Sequence, residues 1–141
     1  MRSSLLLLAL LTTFPAAQAA TPDALGGLWQ LTNVQGPGGG PVSPGTAYLL
    51  VSGGAVQGRF GCGAFAGSAE AADHRIRLDV RPLAPASGAR CPLAPPEAFL
   101  ATLNGSERYV VSEGKGQLVL FSKTARLTFE RPGEGTPGIL P

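Results

Sequence analysis

Few side chains in this 141-residue chain could do covalent or metal chemistry: two cysteines, Cys62 and Cys91, and a single histidine, His74. A thiol pair can form a structural bridge, shuttle electrons or hold a metal. There is no CxxC, so the usual spacing for redox shuttling or for a paired-thiolate zinc ligand is missing. His74 stands beside Asp73 and Arg75 with no second imidazole anywhere in the chain, which leaves no metal site of several histidines and disfavours a histidine-assisted nucleophile. No GxSxG occurs, and the glycine-rich run 36–40 is followed by Pro41 and Pro44 rather than by a helix and a phosphate-binding lysine. Glu70, Asp73, Asp79 and Glu97 are scattered over separate segments, without the fixed pairing that glycoside hydrolysis needs. The expectation is a protein that is not an enzyme, with no catalytic, cofactor-binding or metal-binding residues.

The compartment bears on the thiols. Met1 and Arg2 form a short basic head before the apolar run Leu5 to Leu11, and Ala17-Gln18-Ala19 supplies small residues for cleavage. Residues 1–19 read as a secretory signal peptide, cut between Ala19 and Ala20. The apolar run is far short of the roughly 20 residues needed to span a bilayer. No cysteine follows it closely, so a lipid anchor is not expected. The predicted product is a secreted or periplasmic monomer, with one domain over 20–131 and a flexible tail over 132–141. In an oxidising compartment, Cys62 and Cys91 are expected to join in one disulfide, closing a loop of about 30 residues for roughly 3 to 4 kcal/mol. Two free thiols, or a redox or metal pair, are the alternatives. With 11 basic and 9 acidic side chains and no block of like charge, nucleic acid and anionic membrane are not expected as main partners.

The stretch Val56 to Gly67 organises the rest. Val56, Gly58 and Phe60 alternate with Gln57 and Arg59 as in a strand, and the pattern breaks at Gly61 beside Cys62. So many glycines mark a bend or a close approach of another piece of chain. Period-two runs predict seven strands: Leu28 to Val34, Ala47 to Ser52, Ala55 to Phe60, Arg75 to Val80, Arg108 to Ser112, Gln117 to Phe121 and Ala125 to Glu130. Short connections such as Ser52-Gly53-Gly54-Ala55 join neighbours as antiparallel hairpins. Pro95 to Leu103 carries Phe99, Leu100 and Leu103 at helical spacing, with Asn104-Gly105 as a stop. The predicted class is mainly β: one antiparallel, barrel-like meander of about seven strands, with a short helix between strands four and five packed on the sheet.

Gly26-Gly27-Leu28-Trp29 near the mature start, the core Gly58 to Gly67 with Gly61, Cys62, Gly63, Phe65 and Gly67, a second cysteine followed by Glu97-Ala98-Phe99 and Leu103, and a closing strand pair together resemble the META domain, the family of the heat-shock protein HslJ. The bend usually reads Gly-Cys-Asn in that family, and Gly63 replaces the Asn here. The resemblance implies an exported or envelope-associated bacterial β domain linked to heat shock, novobiocin resistance and secretion or motility, with no settled chemistry. The leading expectation is an envelope stress-tolerance module that binds an envelope protein or other component. Two other classes compete. Gly27-Leu28-Trp29 is also the GxW that opens lipocalin-like barrels, which hold a small hydrophobic ligand in an internal cavity. A proline-rich loop such as 82–96 would suit a secreted protease or lysozyme inhibitor. Arg59, Arg75, Arg77 and Arg81 would form a basic face if their strands pair.

Overall fold

Two-residue alternation makes a strand wherever one face can be buried, and nine strands form among the described residues. The computed structural model describes residues 22–85 and 95–133. The strands are β1 (Gly27–Gln35), β2 (Gly40–Pro41), β3 (Ala47–Ser52), β4 (Ala55–Phe60), β5 (Gly63–Ala72), β6 (Arg75–Pro82), β7 (Arg108–Ser112), β8 (Gln117–Phe121) and β9 (Arg126–Glu130). One α-helix, α1 (Glu97–Asn104), follows β6. Every ladder is antiparallel, and from β3 onward each strand pairs with its neighbour in sequence. β1 pairs with β2 and β3 along one edge and with β9 along the other, so the succession of ladders returns to its first long strand.

Two of these strands are absent from the sequence reading, which expected seven. β2 is two residues long and contains Pro41, which an edge position tolerates because its missing N–H is not needed there. β5 is hidden by its composition. Its inward residues Phe65, Ala69 and Ala71 are buried, but Ala64 and Ala66 face outward, so small side chains blur the alternation. Pairing with both β4 and β6 makes this segment a strand all the same. The helix consequently follows six strands rather than four. The last strand begins at Arg126 rather than Ala125, because Ser122 and Ala125 close the preceding turn.

Three two-residue connections set the register. Gly53 (φ 58°) opens the β3–β4 turn and Gly61 (φ 60°) the β4–β5 turn. The β5–β6 turn is made by Asp73 (φ 51°) and His74 (φ 62°), both left-handed, the pattern of a type I′ hairpin. Asp and His are among the few non-glycine residues that enter this region readily.

The inward faces meet in one core. Trp29, Leu31, Leu49, Val56, Phe65, Leu118, Leu120, Leu127 and Phe129 are all buried within it. The weakest ladder joins β6 to β7 through the single pair Arg75 and Arg108, supported by Ile76 N–H to Glu107 O (3.1 Å) and Tyr109 N–H to His74 O (2.9 Å). Where the two strands diverge, α1 takes over. The Asn104 side chain accepts from Val80 N–H at 2.8 Å and donates to Val80 O at 3.0 Å, pairing with the β6 edge as a strand residue would. On the helix's buried face, the Phe99 ring lies 5.0 Å from Phe60 and 5.8 Å from Phe65.

Candidate functional site

The residues with the best sequence credentials turn out to build the fold. Gly27 has φ 109°, and the Arg131 guanidinium sits where its Cβ would be. Trp29 is fully buried, donates from Nε1 to Leu25 O at 2.8 Å, and carries the Arg131 guanidinium over its ring at 4.1 Å. Arg131 also donates to Ala24 O and Gly26 O, both at 3.1 Å, tying the end of β9 to the start of β1. Gly61 turns the hairpin whose exposed tip is Cys62, and Gly63 is buried behind it. Phe65 crosses Gly58, filling the place a side chain there would take, and Gly67 brings β5 hard against the backbone of Asp79. Cys62 is not a free thiol. Its expected partner Cys91, the cleavage residues Ala19 and Ala20, and most of the loop expected to act as an inhibitor lie outside the described residues.

His74 is a turn residue, with its ring 6.1 Å from that of Tyr109. Among the described residues no three His, Cys, Asp or Glu side chains come together as metal ligands would. The expected basic face does not form as drawn, because β5 separates β4 from β6. Arg77 lies opposite Glu70 across the β5–β6 ladder, and Arg81 lies 3.8 Å from Asp79.

The concave surface that does form is on the outside of β1, β3, β4 and β5. Two cross-strand rows make it: Leu28, Leu50, Gln57 and Ala66 in one, and Gln30, Tyr48, Arg59 and Ala64 in the other. Side chains directly opposite stand about 5 Å apart, so each row is a continuous strip. Alternation explains why they face out, since Trp29, Leu49 and Phe65 occupy inward positions between them and Gly58 the one on β4. Leu83, whose N–H donates to Ala64 O at 2.9 Å, bounds one side, and Pro132 also lines the space. The groove encloses about 670 Å³, within the roughly 300–1,000 Å³ usual for small-molecule sites. Among the described residues four large apolar side chains are notably exposed. Three of them, Leu28 (43%), Leu50 (40%) and Leu83 (54%), line this one groove. Among the described residues Arg59 is its only charged lining residue.

Sequence reading missed the groove because Leu28 and Leu50 look like core residues until register places them outside. A double apolar pattern in β3, Leu49-Leu50-Val51, was the available signal. Among the described residues no helix is long and apolar enough to cross a membrane.

The META domain family model matches residues 23–134. Two solved structures share the fold. A protein from Burkholderia xenovorans is 19% identical with a TM-score of 0.59, covering 86% of this chain and 98% of that one. A DUF4847 family protein from Bacteroides vulgatus is 14% identical with a TM-score of 0.55, covering 77% and 94%. No curated protein matches the sequence.

Proposed function

The chain belongs to the META domain family, and on that premise we propose that it is a non-catalytic, exported module that serves envelope stress tolerance by binding. Its ligand, an apolar envelope component, sits in the groove of β1, β3, β4 and β5. The observation that carries this reading is the gathering of Leu28, Leu50 and Leu83 into one concave strip on an otherwise ordinary surface. Scattered exposed leucines need no explanation, whereas a contiguous apolar patch marks a binding surface. Export rests on the signal-like residues 1–19, and a Cys62–Cys91 bridge would brace the hairpin tip in that compartment. We read the ring of ladders as a small barrel whose inside is occupied by its own side chains.

A second reading, capture of a small hydrophobic molecule, is favoured by the same groove and moves the lipocalin-like ligand from the inside to the outside. Titration with a fluorescent fatty acid tests both. Saturable binding at micromolar concentration is expected, weakened about tenfold or more by Leu50→Glu at unchanged thermal stability. Absence of binding at micromolar protein, or equal binding by the variant, would overturn the groove assignment.

A further inference from the structure

A second outward row lies on the other half of the ring and has no part in the groove. Arg75 is the cross-strand partner of Arg108, Arg108 of Phe121, and Phe121 of Arg126, so one register line crosses β6, β7, β8 and β9. The adjacent residues Ile76, Tyr109, Leu120 and Leu127 are buried, which puts the whole line on the outside. The guanidinium carbons of Arg108 and Arg126 lie 5.8 and 5.0 Å from the centroid of the Phe121 ring. Stacking of this kind holds a guanidinium in place while leaving its N–H edge free for an anion.

Like charges directly opposite across a ladder repel, and Arg75 with Arg108 is such a pair. Among the described residues neither arginine forms an ion pair with a carboxylate. The ion pairs are Arg81 with Asp79 and Lys123 with Glu107, the latter at 3.7 Å, so the carboxylate next to Arg108 in sequence is turned to a lysine. Asp73, in the turn before Arg75, makes no ion pair among the described residues. At the usual spacing of about 4.8 Å per strand, the line places three cations within roughly 15 Å. The chain as a whole carries only a formal +2, so this concentration is the work of register rather than of composition. The next row inward from the strand ends is Val110, Val119 and Thr128, with Val110 43% exposed.

We infer that this line docks the protein on a membrane surface rich in anionic lipid headgroups. A lipid interface is favoured over a soluble polyanion because it offers phosphates to the arginines and an apolar boundary to Val110 and Val119 at once. The groove lies on β1, β3, β4 and β5, none of which contributes to this line.

Vesicle co-sedimentation of the exported protein, with every variant prepared in the same way, tests this. Stronger binding to phosphatidylcholine vesicles containing phosphatidylglycerol than to phosphatidylcholine alone is expected, falling as salt is raised. Arg108→Gln with Arg126→Gln should weaken it by roughly fivefold per arginine, while Arg81→Gln with Lys115→Gln, the same loss of charge elsewhere, should leave most of it. Equal binding to neutral and anionic vesicles, or equal losses from the two double variants, overturns the inference. So does row-dependent binding to soluble polyphosphate with none to vesicles.

Discussion

Trp29 is held on two sides, by Leu25 O at its Nε1–H and by Arg131 over its ring. A half-buried guanidinium that stacks on an indole and donates two hydrogen bonds contributes on several counts together. Arg131→Gln is expected to cost about 2 kcal/mol in urea unfolding and to change the emission of the only tryptophan. The glycines give a sharper contrast. At Gly58 an added methyl would meet the Phe65 ring and the Tyr48 carbonyl, and at Gly67 it would meet the Asp79 carbonyl and Val80 Cα, whereas at Gly40 it would meet nothing within 4 Å. Gly67→Ala should be the most damaging, at the upper end of the roughly 1–3 kcal/mol typical of overpacking, because every atom it meets is backbone, whereas at Gly58 a ring takes part of the clash. Gly58→Ala should fall below it, and Gly40→Ala within about 0.5 kcal/mol of wild type. The sequence marked Gly67 and Trp29 as significant positions but gave no sign of Arg131, because its partners lie some hundred residues away in the chain.

Helix α1 completes a sheet that its neighbouring strands leave thinly joined. With one residue pair between β6 and β7, the two hydrogen bonds exchanged by the Asn104 side chain and the Val80 backbone carry part of the seam. Asn104→Asp keeps the acceptor for Val80 N–H and loses the donor for Val80 O. It should destabilise by about 1–3 kcal/mol and speed hydrogen exchange around Val80 more than in β3 or β4. Unchanged exchange there would show that the seam does not depend on the side chain. The helix and seven of the eight longer strands could be read directly from period and punctuation. β5 could not, since alanine serves equally well inside and outside, and Asn104 read as a helix stop gave no hint of pairing with a strand. The proposed Cys62–Cys91 bridge also belongs to this scale, since it would tie the β4–β5 hairpin tip to the connection leading into α1. Mass spectrometry of exported protein alkylated without reductant should find both cysteines unlabelled. Cys62→Ser should then lower stability by about 3 kcal/mol.

At the scale of the whole molecule the inward and outward faces divide the work. Inside, large side chains from Trp29 to Phe129 fill the space between the strands. Outside, one half of the ring presents the apolar groove and the other the arginine line. Such an arrangement suits holding a ligand against a surface rather than enclosing it. The claim at the centre is that apolar ligand binds on the outer face of β1, β3, β4 and β5, and methyl-resolved NMR during titration with a single-chain fatty acid tests it most directly. Shifts concentrated at Leu28, Leu50, Leu83, Ala64 and Ala66 are the expected result. Shifts concentrated instead at the interior methyls of Leu31, Leu118 and Leu120, or none at all, would contradict it.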